Sequence, residues 1–439
     1  MDKLTALPLK GESFLLRRDD YTILVDGGYG SKPLLTALKK LREPVAYIDV
    51  VVCTHADMDH AGGLTKILDS GAVDVGEFWL PGSWAGHVPA LLRSPGATLE
   101  VLNGQLTDVA DRLRVGGVEH PAAFQETLEG MALDNLAREP MIAGQRDAPV
   151  QRREVQPDER RQEAQRRDRQ AERGDRPRNR ERLPRPEESQ ALRELRERRV
   201  EIEEASELIP EIRKAAKATA RRRIRARRLP SEYADYWVSL IDTAVRIREV
   251  AEQAILHGVP IRWFDYSAFA VARTPAGGIY PLLMPLNSVE FVAPPPPVMA
   301  LCAFLTVVNQ ESLVFQSESD DGCTVLFTAD SPLGSGTDYG TSFFAPGQLR
   351  WPMVVTAPHH GSDSNRIAYE HIYDAGGRPV LFVRSGGKGN HPGKTYRGLP
   401  RSLRTCTRCP HLGLQPREVE VLLSWDYDLC RVSSHECTC

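Results

Sequence analysis

The run VVCTHADMDHAGGL places four side chains able to hold a metal ion, His55, Asp57, Asp59 and His60, within six residues. Residues 48–53 read as a buried strand that ends at Thr54 and His55. Alternate positions of an extended segment point the same way, so His55 and Asp57 can grip one ion. Asp59 and His60, at the start of the following helix, can reach a second, while Gly62 and Gly63 let the backbone bend away. Unpaired buried carboxylates are costly, so a hydrophobic core has no use for such a cluster. Two divalent ions about 3.5–4 Å apart can share a hydroxide, and one ion alone can bring a bound water to a pKa of about 7. Such ions also neutralise charge that develops on phosphoryl oxygens, and no nucleophilic Ser or Cys is needed.

These residues need elements to carry them. Residues 13–16 and 21–25 are β-rich runs on either side of Arg18-Asp19-Asp20, which predicts a hairpin stopped by Asp26-Gly27-Gly28. Residues 34–41 have helical spacing, and Phe78-Trp79-Leu80 reads as a short strand closed by Pro81-Gly82. From about 140 to 230 the composition changes. Residues 145–190 are rich in Arg, Glu and Gln with few large apolar groups, which predicts a solvated helix or disorder. Residues 189–228 suggest a helical pair interrupted at Pro210, and 231–257 an amphipathic helix. Strands return at 261–264, 300–308, 312–315, 324–328, 353–356 and 380–383. The helical region thus interrupts an α/β pattern. It divides the chain into a first half (1–125), a charged helical insertion (126–257), a second half (258–398) and a Cys-rich extension (399–439).

The His/Asp segment resembles the HxHxDH signature of the metallo-β-lactamase superfamily, in the HxDxDHxGG form of ComEC-like DNA-uptake domains. Other segments agree in order. GESFLL followed by YTILVDGG resembles the family's opening hairpin, with Asp26 at its end. VNQESLVF, with Asn309 and Ser312, resembles the N-x-x-S-L-V strand, and VLFTADSP puts Asp330 where the family has the carboxylate bridging both metals. VVTAPHHGSDSN and VRSGGKGNHPGK resemble its P-H-H-G-S and its terminal S-x-G-x-x-N…H-P segments. The likeness covers about 1–85 and 260–395.

The resemblance implies an α/β fold, a four-layer αββα sandwich with the site at one edge between two sheets. It implies His55, Asp57, Asp59, His60, Asp330 and His360 as ligands of two divalent ions, Mn²⁺ or Zn²⁺. His360 is preferred to His359 because it precedes Gly361, although the two are adjacent. His359 and His391 are substrate-facing or additional ligand candidates, and Asp59, His359 and His391 the catalytic candidates. His391, before Pro392, can donate to the phosphate or protonate the leaving oxygen, or be an ordinary loop histidine. Most members have histidine where Asp57 stands. The oxygen-richer set shifts preference toward harder ions such as Mn²⁺. The family's third-motif histidine has no clear counterpart; His87 is the nearest, and a surface-loop role suits it better.

The expected activity is a dinuclear nuclease or phosphodiesterase that uses a metal-bridging hydroxide, partner-gated in a bacterial defence system by analogy. The alternatives are hydrolysis of a small phosphoester, cyclic nucleotide or lactone, or a complex subunit whose insertion docks a protein. The chain of 439 residues carries 56 Lys+Arg and 59 Asp+Glu, yet residues 151–230 hold 26 basic against 17 acidic, a local +9 on a body of −12. Six arginines at 221–228 could contact nucleic acid, dock a partner or form a solvated face. Five of eight cysteines, Cys406, Cys409, Cys430, Cys437 and Cys439, crowd the extension and have the ligand count for a structural zinc, with His411 and His435 as alternates. Cys53, Cys302 and Cys323 read as small buried hydrophobes. No basic run followed by an apolar run opens the chain and no stretch approaches about 20 apolar residues, which predicts a cytoplasmic protein without a membrane span.

Overall fold

The structure is a computed structural model that describes residues 2–115, 127, 153–154, 190–291, 301–305, 311–319, 322–335, 339–349, 352–387, 391–409, 415–423, 431–432 and 437–439. The predicted charged segment 145–190 therefore lies almost wholly outside the described residues, as do Asn309, Asn390, His411, Cys430 and His435.

Strand labels used below are β1 (Lys3–Ala6), β2 (Phe14–Arg18), β3 (Tyr21–Val25), β4 (Tyr47–Val52), β5 (Asp74–Pro81) and β6 (Ile261–Asp265). They continue with β7 (Met284–Pro285), β8 (Val289–Phe291), β9 (Phe315–Ser317), β10 (Thr324–Phe327) and β11 (Met353–Thr356). The last are β12 (Pro379–Arg384), β13 (Arg404–Cys406), β14 (Val419–Leu422) and β15 (Arg431–Val432). Nine strands form one sheet in the order β8-β6-β5-β4-β3-β2-β1-β14-β15, and six form a second, β13-β12-β11-β10-β9-β7. β3 through β6 are mutually parallel in the first sheet, and β10 through β13 in the second.

The predicted hairpin forms, with Phe14 opposite Val25 and Leu16 opposite Ile23. Asp19 and Asp20 make its turn at φ of 53° and 81°, the left-handed region that aspartate tolerates. Side chains alternate along these strands. Phe14, Leu16, Ile23 and Val25 pack between the sheets with Phe315, Phe327 and Val383, whereas Leu15 and Leu24 face helices. Helix α1 (Ser31–Lys40), α2 (Met58–Ala61), α3 (Val88–Arg93), α4 (Pro95–Val115), α5 (Gln190–Glu197), α6 (Arg199–Glu207), α7 (Ile209–Ala226) and α8 (Ser231–Leu256) follow in the first part of the chain. Apart from α2, these cover the outer face of the first sheet; α9 (Arg366–Asp374) covers the second. Helix, sheet, sheet and helix give the expected four layers.

Two expectations meet differences. Residues 301–304 form a helix where a strand at 300–308 was expected: Leu301, Phe304 and Leu305 pack on the helical layer, and a Leu/Ala/Phe run serves a buried helix as well as a strand. Residues 190–226 hold three helices where a pair was expected: the break near Pro210 forms, with α6 ending at Glu207 and Pro210 in the first turn of α7, where its missing N–H costs nothing, and a further break falls at Arg198. The helices after residue 190 also share one hydrophobic core with residues 7–110, so they build the outer layer rather than hang from it. Among the described residues, no helix is long and apolar enough to cross a membrane.

Candidate metal centre

Apart from Glu12, which precedes β2, the clustered side chains sit just past the carboxyl end of a strand, where α/β sheets build their sites. β3 leads to Asp26, β4 to His55 and to α2 with Asp59 and His60, β10 to Asp330, β11 to His359 and His360, and β12 to Ser385. The loops approach so closely that glycine is obligatory at two points. A Cβ on Gly63 would lie 1.9 Å from the Gly27 carbonyl oxygen, and one on Gly11 (φ +92°) 2.2 Å from that of Asp59.

His60 is the hub. Its Nδ1 lies 2.8 Å from Asp26 Oδ2, which fixes the ring so that Nε2 faces inward. Asp26 is itself held by the Thr54 amide (2.9 Å) and hydroxyl (2.7 Å). His60 Nε2 stands 3.2 Å from Asp330 Oδ1 and 3.2 Å from His360 Nε2. Asp330 Oδ2 is 3.7 Å from His55 Nε2 and 3.3 Å from His359 Nε2. His360 Nε2 is 3.4 Å from Asp59 Oδ2, while its Nδ1 is anchored 3.0 Å from the Ser385 carbonyl oxygen and lies 3.5 Å from Glu12 Oε2. Of three groups of ligand atoms that share His60, each within 4.8 Å, two hold the expected ligands, His55/His60/Asp330 and Asp59/His60/His360; the third is Glu12/Asp26/His60.

Adjacent histidines reach both sides of this centre because both depart from ordinary backbone. His359 and His360 have φ of 47° and 52°, a left-handed conformation that costs about 1–3 kcal/mol per residue and clusters at functional sites. Asn365 steadies the turn by donating to the Asp330 carbonyl oxygen (2.8 Å), with its own Oδ1 3.2 Å from His359 Nδ1.

The imidazoles and carboxylates shift one another's protonation. Burial pushes the Asp330 carboxyl up, but His60 and His359 outweigh it and hold it well below the usual range. Burial alone would lower His60; Asp330 and Asp26 raise it well above the ordinary imidazole value. Burial, ahead of opposing pulls from His60 and His360, pushes Glu12 up to about 8. Burial and then His60 lower His55. Buried His55 Nε2, Asp330 Oδ1 and Glu12 Oε2 have no hydrogen-bond partner among the described residues. Imidazole and carboxylate groups aimed at each other with orphaned atoms are what divalent ions satisfy, so the residues fit the metal pair.

Of the expected ligands, His55, Asp59, His60, Asp330 and His360 converge. Asp57 does not join either group: half-buried at the start of α2, it lies where its charge acts on His55 and on Arg246. His359 is brought into the cluster on the His55 side. His391 stands with its ring 5.9 Å from that of His359 and 6.0 Å from that of His360, and its buried Nδ1 has no partner among the described residues. Burial, then His360 and His359, push it down to about 4. His87 joins no group; it stacks on Phe304 at 4.8 Å, and burial lowers it to about 4. Of the five candidate zinc cysteines, Cys406, Cys409, Cys437 and Cys439 come together, and Cys430 lies outside the described residues. Cys323 corrects an expectation: it is disulfide-bonded, not a packed thiol like Cys53 and Cys302.

Residues 7–122 match the metallo-beta-lactamase superfamily. No curated protein and no solved structure matches the chain. The match and the two-sheet sandwich agree on that superfamily's fold, whose members are metal-dependent hydrolases. Glu12, Arg246 and Asn365 are residues of this site that sequence reasoning missed. Arg246 offered a signal, a charge among Val245, Ile247 and Val250 on the apolar face of α8; it is buried and donates to the Ala56 carbonyl oxygen between His55 and Asp57.

Proposed function

We propose that this chain is a ComEC-like, dinuclear metal-dependent phosphodiesterase that acts on nucleic acid with a pair of divalent ions, Mn²⁺ or Zn²⁺. The observation that supports it most is the pair of ligand groups, His55/His60/Asp330 and Asp59/His60/His360, that meet at His60. When bound, the cation pair supplies Lewis acidity, a water acidic enough to attack near neutral pH, and neutralisation of phosphoryl charge. His55 and His359 would hold one ion and Asp59, His60 and His360 the other, with Asp330 offering Oδ1 on the His60 side and Oδ2 toward His55 and His359. Asp26 keeps the proton of His60 on Nδ1 and its Nε2 toward the metals. His391 faces the substrate and donates to a phosphoryl or leaving oxygen.

Arg221, Arg222, Arg225 and Arg228 are exposed on or just beyond α7 and supply phosphate contacts, whereas Arg223 and Arg227 are occupied by Glu100 and Asp111 of α4. The test is purified protein with Mn²⁺, Mg²⁺ or Zn²⁺ against single- and double-stranded DNA, RNA and a generic phosphodiester. Cleavage supported by Mn²⁺ or Zn²⁺ and lost in Asp59→Ala is expected. Hydrolysis of a lactone with no phosphodiester cleavage under any metal would overturn the reading.

A further inference from the structure

The second sheet carries a group of metal-capable side chains that hydrolysis does not use. Cys406 ends β13 and Cys409 follows three residues on; Cys437 and Cys439 meet them. All four are buried and all four are unbridged. Cys406 Sγ lies 3.2 Å from Cys409 Sγ, 3.3 Å from Cys437 Sγ and 3.5 Å from Cys439 Sγ, and all four sulfurs are within 4.8 Å of one another. A disulfide needs about 2.04 Å, and Cys406 is nearly equidistant from three sulfurs, so no one pair is favoured for a bridge. Sulfurs at about 2.3 Å from a shared zinc would be separated by about 3.8 Å, so a small outward relaxation of this cluster suffices. Thiols are weak donors and weak acceptors, and four of them packed together gain little from one another.

The cluster also has a neighbour in the hydrolytic site. Arg384, fully buried at the end of β12, donates through Nη1 to the carbonyl oxygen of Arg408, inside the Cys406–Cys409 loop. The same guanidinium donates through Nε to the His360 carbonyl oxygen (2.9 Å) and through Nη2 to those of Gly386 (2.8 Å) and His391 (3.3 Å). The Thr407 amide donates back to the Arg384 carbonyl oxygen at 3.0 Å. One planar fork thus ties the cysteine loop to the backbone of His360, which is held at a left-handed φ.

We propose that Cys406, Cys409, Cys437 and Cys439 hold a tetrahedral structural zinc, and that this ion, through the Arg408 loop and Arg384, braces the His360 turn. The four-sulfur set selects a soft, tetrahedral ion and leaves no open position for substrate. The sulfur site stands by itself; the bracing rests on the hydrolytic centre proposed above.

The experiment uses the full chain carrying Asp330→Ala, so that the count does not depend on the hydrolytic centre. Elemental analysis is expected to find one zinc per chain, released by a thiol-blocking mercurial, and cobalt substitution to give an intense thiolate-to-metal charge-transfer band. Two disulfides among the four cysteines, no bound ion after anaerobic reconstitution with zinc, or iron in its place would overturn the site. For the bracing, Mn²⁺ affinity of the otherwise native chain is compared with that of Cys437→Ser/Cys439→Ser. About a tenfold weakening is expected, the scale of losing an outer partner of a ligand. Unchanged affinity would overturn it. Should that variant fail to fold, Arg384→Lys, which leaves every cysteine in place, gives the same readout: weaker Mn²⁺ binding with the zinc retained supports the brace, and unchanged Mn²⁺ binding removes it.

Discussion

The His/Asp centre and the four-cysteine cluster both gather metal-capable side chains, yet on opposite plans. The first mixes nitrogen and oxygen, draws on five strand ends and spends backbone strain at His359 and His360. It leaves His391 beside it with a nitrogen that has no partner among the described residues. The second is all sulfur, taken from two short segments, and shut in the interior. A closed four-ligand site can only hold structure together, whereas an incomplete and strained one keeps room for a reacting molecule. Ligand type and enclosure, more than the mere presence of ligands, separate the two roles.

Mutations that act on one plan and spare the other sharpen this contrast. Asp330→Ala removes the buried carboxylate that faces His55, His60 and His359, and phosphodiesterase activity is expected to fall by about 10³-fold or more while the thiolate-bound zinc stays. His359→Ala is expected to lower activity by about 10²-fold and to deplete metal on the His55 side. An unchanged metal content would show that His359 faces only substrate. Asp26→Asn leaves every direct ligand but loosens His60, and Mn²⁺ affinity measured by calorimetry is expected to drop about 10- to 100-fold. The smallest effect belongs to the surface. Replacing Arg221, Arg222, Arg225 and Arg228 with Gln is expected to weaken DNA binding and flatten its salt dependence, by about one in log–log slope for each phosphate that the protein no longer neutralises. Identical slopes would take nucleic acid away from α7.

How much of the molecule was legible in the sequence follows from how local each signal is. His55, Asp59 and His60 lie within six residues on one strand-to-helix turn, so their spacing alone announced them. The hairpin was equally open, because period-2 alternation and an Asp-Asp turn are local. Asp330, His359 and His360 could be placed only through the resemblance, since nothing within their own segments says which distant strand end they meet. Glu12 stayed hidden because its backbone meets the Asp59 loop, which closes over Gly11, an approach between Glu12 and Asp59 across 47 positions that no pattern encodes. The missing third-motif histidine could not be resolved from sequence either. His359 takes up a place beside Asp330 through a backbone conformation that the adjacent pair His359-His360 does not reveal. For residues 301–304, a short apolar run left helix and strand equally open, and tertiary packing decided.

The most direct measurement is electron paramagnetic resonance of the Mn²⁺-loaded chain together with its metal count. The account predicts two Mn²⁺ ions per chain with an exchange-coupled signal, and loss of that signal in Asp330→Ala. A single isolated Mn²⁺ signal, or no manganese held by the native chain, would contradict it.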